Sequence, residues 1–199
     1  MTRDEILDAL EGAGAIRHGH FRLTSGLHSD TYIQTALVLE HPYMTKAMAS
    51  AGAERFQRDD VDVVISPAVG AIVFGYAVAD ALGARFIYAE RERGKMKLRR
   101  NFAVEPGEKA VVVEDVVTTG SSVAEVVELV KKAGGEVLGV ISLVDRGGEK
   151  VFCAPAYNPV LTFELVAYEP SECPMCAKGL PVDTPGSRQL AAEEAAERD

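Results

Sequence analysis

From Val61 onward, short β-branched runs alternate with longer segments of helical period. The runs VDVVIS, RFIYA, AVVVED and EVLGVISLV are separated in part by the helical segments at 71–82 and 121–133. Such alternation is typical of βαβ units, whose parallel strands form a sheet that helices cover on both faces. The valine-rich run at 111–113 predicts a central strand. The sequence therefore predicts an α/β fold with a mostly parallel central sheet flanked by helices.

The segments on either side of this alternation predict a hood and an extension. We expect a helix at about 2–13, a hairpin or irregular strand pair in FRLTSGLHSDTYIQ, and a helix at about 42–58. The tail is first proline-rich and then acidic, so we expect an ordered part followed by a frayed or weakly helical part. The 199 residues predict a single domain, with a small N-terminal hood at about 1–40, a core at about 41–168 and a C-terminal extension at about 169–199.

Composition excludes several classes of function. A formal net charge of −9 would repel a nucleic-acid backbone at long range. No apolar run approaches the roughly 18 residues that a membrane span requires. The three cysteines are too few and too clustered for a secreted disulfide framework. We therefore expect a cytoplasmic protein that binds neither nucleic acid nor membranes.

Cys173 and Cys176 form a CPMC pair that raises the question of a metal site. A structural zinc site needs about four ligands, and this pair supplies two, so a second subunit would have to complete it. We do not predict such a site. The four histidines show no metal-ligand spacing and are expected to be structural or solvent-facing; they are His18, His20, His28 and His41.

The segment VVVEDVVTTGSSV at 111–123 carries the strongest functional signal. A buried strand ends in two acids, and a loop of small and hydroxyl residues then opens a helix. Loop N–H groups, hydroxyls and the helix N-terminus together suit a phosphate. The carboxylates of Glu114 and Asp115 suit the vicinal hydroxyls of a ribose. We predict a ribose-phosphate site whose loop residues are Thr118, Thr119, Gly120, Ser121 and Ser122.

A structural explanation accounts for only part of this segment. An N-capped helix would explain Ser121 and the glycine, but not two acids at the end of a buried strand. A Walker-type loop would require Gly-Lys-Ser/Thr, which is missing here. The segment resembles the phosphoribosyl diphosphate motif of the type I phosphoribosyltransferases. That resemblance implies the type I phosphoribosyltransferase fold, with the acids on the ribose hydroxyls and the loop on the 5-phosphate.

Further stretches within about 21–146 resemble the orotate phosphoribosyltransferases. FRLTSGLHSDTY is close to that family's amino-terminal signature, which implies that Tyr32 and Ile33 offer backbone groups to the pyrimidine ring. Arg146, in LVDRGG, follows a strand and could clasp the carboxylate of orotate with two parallel hydrogen bonds. It matches the family's orotate-binding arginine, and Thr118 matches a threonine that contacts both ligands.

Two other stretches concern pyrophosphate. Residues 67–70 (PAVG) would form a pyrophosphate-binding turn at the carboxyl edge of the sheet, although many relatives have Tyr-Lys where this chain has Val69-Gly70. Residues 89–106 predict a long mobile loop, which could close and stabilise the charge that develops on the leaving group. Its cations are Arg91, Arg93, Lys95, Lys97, Arg99 and Arg100.

The resemblance implies that this loop closes over the active site of the neighbouring subunit of a homodimer. Arg91 and Lys95 match the family's arginine and second lysine. The match is incomplete at Glu92 and Lys97. The identity of the cation that reaches pyrophosphate therefore stays open; the candidates are Lys95, Lys97, Arg99 and Arg100.

The resemblance implies a Mg²⁺-dependent transfer of the phosphoribosyl group of phosphoribosyl diphosphate to orotate. The products are orotidine monophosphate and pyrophosphate, and the reaction belongs to UMP biosynthesis. The catalytic candidates are Lys95, Glu114 and Asp115, and Mg²⁺ is expected to be held mainly by substrate and water, with no protein metal site. The alternatives are a phosphoribosyltransferase for another base and a non-catalytic regulator that senses phosphoribosyl diphosphate.

Overall fold

The computed structural model describes residues 1–23, 25–147 and 154–185, which fall into two compact units. The first unit consists of Met1–Ala13 and Thr35–Glu164, and the second consists of Gly14–Gln34 and the segment that begins at Leu165. The predicted hood and extension thus both contribute residues to the second unit. The predicted domain boundaries near residues 40 and 168 stay predictions.

The elements follow one another in an order that alternates strands and helices through the middle of the chain. They are α1 (Arg3–Gly12), β1 (Ile16–Arg22), β2 (His28–Ile33), α2 (Ala36–Leu39), α3 (Pro42–Ala53), β3 (Val63–Pro67), α4 (Ile72–Leu82), β4 (Arg85–Glu92), β5 (Lys95–Leu98), β6 (Lys109–Val117), α5 (Ser121–Lys132), β7 (Glu136–Asp145), β8 (Tyr157–Thr162) and α6 (Pro174–Ala177).

The first unit contains a six-stranded sheet in the order β5-β4-β3-β6-β7-β8. All neighbouring strands are parallel except β4 and β5, which are antiparallel. Strand β6 lies inside the sheet, and its valines at 111–113 are fully buried. The predicted mostly parallel sheet with a central valine strand is therefore confirmed.

Helices pack on both faces of this sheet. On one face, the valines of α5 at 123, 126, 127 and 130 share a core cluster with Val63, Ile65 and Val112. On the other face, α4 approaches so closely at Gly75 that an added Cβ would lie 2.7 Å from the ring of Phe86. Because side chains alternate along a strand, the two sets of contacts use opposite faces. The predicted cover of helices on both faces is confirmed.

Strand β8 was not predicted from the sequence. It contains Pro159, which cannot donate to a ladder, and proline within an apolar run argues against a central strand. Among the described strands, β8 pairs only with β7, at the end of the strand order. An edge strand needs partners on one side only, so the proline is tolerated there.

Two of the predicted segments differ from the structure. Helix α3 ends at Ala53 rather than near residue 58, because the chain turns: the Phe56 amide donates to the Ala53 carbonyl and Asp59 has φ 77°. The predicted long loop at 89–106 is wrong for residues 90–98, where β4 continues and β5 returns beside it. Arg93 and Gly94, with φ 50° and 80°, form the two-residue turn that such a hairpin favours.

The second unit is built on the antiparallel pair β1-β2, which confirms the predicted strand pair. Its register shifts between His18 and Phe21. The tail segment adds backbone hydrogen bonds to both strands, since the Arg22 amide donates to the Asp183 carbonyl and the His28 amide donates to the Tyr168 carbonyl, each at 2.8 Å. Among the described residues, no helix is both long and apolar enough to cross a bilayer.

Candidate active site

The turn between β6 and α5 forms a concave pocket lined by Glu114 and residues 116–123. Gly120, the N-cap of α5, has φ 74° and ψ 7°, a left-handed conformation that glycine adopts without steric cost. The first helical hydrogen bond runs from the Ala124 amide to the Gly120 carbonyl at 2.9 Å. The amides before Ala124 have no acceptor within the helix, and they carry the positive end of its dipole.

Hydroxyl groups surround this helix start. Thr118 and Thr119 are exposed, and the Thr119 hydroxyl donates to the Ser121 hydroxyl at 3.4 Å. Thr118, Thr119, Gly120, Ser121 and Ser122 all line the same pocket. The structure therefore brings the five predicted loop residues together in a shape that can surround one phosphate group with N–H and O–H donors.

The two acids lie on either face of the end of β6. Glu114 is only 8% exposed and lines the pocket, and its Oε1 accepts from the Asp115 amide at 3.2 Å. Asp115 is half-buried, and its Oδ2 accepts from the Thr35 hydroxyl at 2.9 Å. Both carboxylates are thus held at the carboxyl edge of the sheet. Sequence reasoning missed Thr35, because a threonine 80 positions away carries no local signal.

The turn at 67–70 reaches the same edge beside Asp115. The Ala68 amide donates to the Ala89 carbonyl at 2.7 Å, which holds the start of the turn against β4, and the Ala68–Val69 peptide bond is cis. A Cβ added to Gly70 would lie 2.8 Å from Oδ2 of Asp115. A larger residue at position 70 would have to displace this carboxylate or move the turn.

Arg146 follows β7 on the other side of β6. Its amide donates to the Val117 carbonyl at 2.9 Å, so its backbone lies beside the last residue of β6. Asp145 is fully buried, and its Oδ1 accepts from the Gly147 amide at 3.1 Å, which fixes the turn after the strand.

Burial raises the pKa of Tyr157, whose hydroxyl shares a 2.7 Å hydrogen bond with Ser142. Tyr157 is therefore neutral at physiological pH.

The cationic hairpin β4-β5 is tied to α5 through Arg91. Its guanidinium donates to both oxygens of Glu125, at 2.7 and 3.2 Å, and to the Gly94 carbonyl at 2.7 Å. The Met96 amide also donates to Glu125, at 3.2 Å. The hydrogen bonds from Arg91 hold the pKa of Glu125 below its ordinary value. Sequence reasoning missed Glu125, which looked like an ordinary surface residue of a helix.

The other cations of this segment divide into two groups. Lys97 and Arg99 pair with Glu92, and Arg100 pairs with Glu90 and lies over the ring of Tyr88. Arg93 and Lys95 form no ion pair with the described residues. Both are exposed. Lys95 is therefore open to an anion from outside the hairpin, whereas Lys97, Arg99 and Arg100 already have carboxylate partners.

Tyr32 and Ile33 belong to the second unit, where they end β2. The Tyr32 ring lies 5.7 Å from the ring of Phe21, and Ile33 is buried and faces Ile16 across the strand pair. Their backbone groups are near the end of the strand. Their predicted contact with a pyrimidine ring stays a prediction.

A second cluster of functional side chains was missed from the sequence. His20, His28, Cys173 and Cys176 lie together in the second unit, with their potential ligand atoms within 4.8 Å of one another. Of the two expectations for the histidines, structural or solvent-facing, the structural one holds for His20 and His28, which are 4% and 7% exposed. The signal available was the hairpin itself, which places residues eight positions apart on adjacent strands.

Comparison with known proteins agrees with this geometry. The chain matches the family model of the phosphoribosyl transferase domain over residues 35–157. It is 51% identical over 190 residues to the orotate phosphoribosyltransferase of Pelotomaculum thermopropionicum, covering 96% of this chain and 100% of that protein. The same values hold for the enzyme of that name from Desulforamulus reducens. The crystal structure of orotate phosphoribosyltransferase from Aeropyrum pernix is similar, with a TM-score of 0.70 and 26% identity over 79% of this chain and 93% of that one.

Proposed function

Because the chain belongs to the phosphoribosyltransferase family, and within it to the orotate phosphoribosyltransferases, we propose that it makes orotidine monophosphate from orotate and phosphoribosyl diphosphate. Pyrophosphate is the second product, and the reaction is a step of pyrimidine biosynthesis. One observation carries the proposal most directly. The phosphate pocket, two carboxylates, the glycine turn and Arg146 meet at one edge of a parallel sheet.

The pocket at the start of α5 holds the 5-phosphate of the substrate. Its amides and hydroxyls donate to the phosphate oxygens, and the helix dipole favours the negative charge. Glu114 and Asp115 accept hydrogen bonds from the ribose 2- and 3-hydroxyls. The hydrogen bonds from Thr35 and from the Asp115 amide support this role, because they fix the carboxylates before the sugar arrives.

Arg146 gives the site its preference for orotate. A guanidinium can donate two parallel hydrogen bonds to a carboxylate, and this carboxylate distinguishes orotate from uracil. The hydrogen bond that fixes the Arg146 backbone beside β6 supports this role. Thr118 contacts both ligands, and backbone groups of Tyr32 and Ile33 contact the pyrimidine ring. This role of Arg146 argues against a phosphoribosyltransferase for another base.

The chemical step is a displacement at the anomeric carbon of the ribose. The reacting ring N–H of orotate gives up its proton and the nitrogen forms the new C–N bond. The C–O bond to pyrophosphate breaks, and pyrophosphate leaves with the bonding electrons, a base that can accept the proton. The transition state has oxocarbenium character at the sugar and increased negative charge on the leaving group. Lys95 neutralises part of that charge, and the backbone of the turn at 67–70 receives the pyrophosphate.

The site also fits Mg²⁺, which binds oxygen ligands and keeps part of its water shell. Within the described residues, the only group of three or more His, Cys, Asp or Glu side chains that could hold an ion alone lies in the second unit. Mg²⁺ would therefore be held mainly by substrate oxygens and water, near the carboxylates at the end of β6. When bound, Mg²⁺ supplies charge neutralisation on the diphosphate.

The proposal includes a homodimer whose subunits share active sites. Lys95 supports this arrangement, since it is exposed near the tip of the hairpin and has no acidic partner among the described residues. Arg91 instead ties the hairpin to α5 and assists binding of the diphosphate from there. We also place the protein in the cytoplasm, a compartment that suits its sparse and clustered cysteines.

The experiment that tests this function follows the absorbance of orotate after phosphoribosyl diphosphate and Mg²⁺ are added. Uracil, hypoxanthine and xanthine are run in parallel. Consumption of orotate alone, and only with Mg²⁺, is the expected result. Consumption of a different base would show that the protein is a phosphoribosyltransferase for that base, and it would overturn the role of Arg146. Binding of phosphoribosyl diphosphate with no base consumed would favour the regulatory alternative.

A further inference from the structure

We propose that His20, His28, Cys173 and Cys176 form a structural zinc site in the second unit. The two histidines lie on the paired strands β1 and β2, and the two cysteines lie at the start of α6 and within it. The four potential ligand atoms all lie within 4.8 Å of one another. The sequence separates the histidines from the cysteines by more than 140 residues, so only the fold reveals the group.

The three sulfur–nitrogen distances of the group suit a tetrahedral metal ion, whereas its two ring nitrogens, 2.8 Å apart, would have to move about 0.5 Å further apart to bind one. With Zn–S near 2.3 Å and Zn–N near 2.05 Å, tetrahedral geometry puts sulfur and nitrogen ligands about 3.6 Å apart. Nε2 of His20 is 3.5 Å from Sγ of Cys173 and 3.6 Å from Sγ of Cys176. Sγ of Cys176 is 3.3 Å from Nδ1 of His28. All three distances agree with the expected value to about 0.3 Å.

The contacts of His20 support a positive ion at the centre of the group. Nδ1 of His20 lies 2.9 Å from the Leu180 carbonyl oxygen, which can only accept, so this nitrogen carries the proton. In the neutral ring Nε2 then carries a lone pair, and three groups lie near it, the two thiols and Nδ1 of His28, which is 2.8 Å away. One lone pair accepts one good hydrogen bond. A metal ion would satisfy all four groups at once.

The hydrogen bond to Leu180 also resembles the support that metal-binding histidines usually have. Such histidines donate their second ring N–H to a carbonyl or carboxylate, which fixes the ring and its tautomer. The register shift between His18 and Phe21 covers Gly19 and His20, and such an irregularity changes the direction of side chains along a strand. The cysteines have the C-x₂-C spacing of many zinc sites.

The burial of the group and the size of the second unit give the metal a structural role. His20, His28 and Cys173 are buried, and only Cys176 is exposed. Four protein ligands leave no open coordination position for a substrate. A two-stranded sheet is marginally stable alone, and among the described residues of this unit the large buried apolar side chains are few: Phe21, Leu23, Ile33 and Met175. A metal ion would fasten the tail segment to the strand pair.

The ligand set selects the kind of metal. Two thiolates and two imidazoles in a tetrahedron suit Zn²⁺, whereas Mg²⁺ and Ca²⁺ prefer oxygen ligands. The site would therefore be independent of the Mg²⁺ used in the transfer reaction. A disulfide between Cys173 and Cys176 is the competing use of the two thiols, and both are free cysteines in the structure.

The first test measures the metal content of the full-length protein, produced in zinc-containing medium and purified without chelators. Inductively coupled plasma mass spectrometry should find about one zinc per chain, as one four-ligand site requires. The variants His28→Asn and Cys176→Ser should lose most of it. The variant His18→Asn should keep it, because His18 lies on the same strand pair but outside the group.

A second measurement covers the case in which the ligand variants fail to fold. Wild-type protein is stripped with a zinc chelator and reconstituted with Co²⁺. The visible spectrum of tetrahedral Co²⁺ and a near-ultraviolet thiolate charge-transfer band are expected, and readdition of zinc should raise the melting temperature. The proposal is overturned if the wild-type protein contains no zinc and Co²⁺ gives no tetrahedral spectrum, or if Cys173 and Cys176 are found joined in a disulfide.

Discussion

At the scale of single residues, Gly70 shows how closely the elements of the site approach each other. Its backbone is near enough to Asp115 that the smallest side chain would collide with the carboxylate. The neighbouring Val69 is 81% exposed, so the turn is not held there by burial of apolar surface. We therefore attribute the close approach to the positioning of Asp115 in the site.

The variant Gly70→Ala should impair catalysis far more than stability. The new methyl group would displace Asp115, and misplacement of a positioning group costs on the order of tenfold to a hundredfold in kcat/KM. Steady-state kinetics and a melting curve measure the two effects. Gly12→Ala is the matched control, because its added Cβ would meet nothing within 4 Å beyond its chain neighbours and the backbone of its own helix. Wild-type kinetics in Gly70→Ala would show that Asp115 is not held by this contact.

Two single variants distinguish the roles of the exposed cations Lys95 and Arg93. Lys95→Ala should lower kcat on the order of a hundredfold with little change in KM, because a charge that acts on the leaving group counts mainly in the transition state. Arg93→Ala, which removes the other cation without an ion pair, should leave kcat within a fewfold of wild type. The reverse result would transfer the role from Lys95 to Arg93.

At the scale of elements, the parts predicted from the sequence are those with a strong period of their own. Strands β3, β6 and β7 are β-branched runs, and α4 and α5 show helical spacing, so each was predicted without knowledge of its neighbours. The end of β4 and all of β5 were taken for a loop because their charges hid the alternation in KMKL, where Met96 is buried between exposed lysines. Strand β8 was hidden by its proline.

In the candidate site, too, the parts that could be predicted are those with a local sequence pattern of their own. The phosphate pocket is one continuous stretch, so its residues could be chosen from local chemistry. Thr35 and Glu125 act through contacts over long sequence distances, and no local pattern marks them. The cluster of histidines and cysteines joins three separate segments. Such groups depend on register and on the path of the tail, which the sequence alone did not determine.

The link between the hairpin and α5 should depend on pH. The hydrogen bonds from Arg91 depress the pKa of Glu125, so its stabilising effect is complete above the unfolded value of about 4.3 and is lost as the pH falls through the folded value. Melting temperatures of Glu125→Gln and wild type should therefore differ at pH 7 and converge towards pH 3. Glu128→Gln, an exposed position on the same helix, is the control. A difference that stays constant with pH would contradict this account.

At the scale of the whole molecule, the described chain places the phosphate pocket, the turn at 67–70 and Arg146 in the first unit, and it places the strand pair with Tyr32 and Ile33 in the second. The hairpin with Lys95 also belongs to the first unit. In the proposed dimer, this hairpin serves the neighbouring subunit. A complete active site would then need residues from two chains.

Subunit complementation tests that arrangement. Co-expression of Lys95→Ala with Asp115→Asn in differently tagged chains should give mixed dimers with one doubly impaired site and one intact site. Random association into a two-fold dimer should then restore roughly a quarter of wild-type activity. If Lys95 serves its own subunit, the mixture should show no more activity than the two variants measured separately.

The most direct test of the central claim is a crystal structure of the protein with orotidine monophosphate and pyrophosphate. The account predicts the 5-phosphate at the start of α5, the ribose hydroxyls against Glu114 and Asp115, and the pyrimidine carboxylate against the guanidinium of Arg146. Pyrophosphate is predicted beside the turn at 67–70. A nucleotide bound elsewhere, or a carboxylate that does not contact Arg146, would contradict the assignment of this edge as the site of orotate transfer.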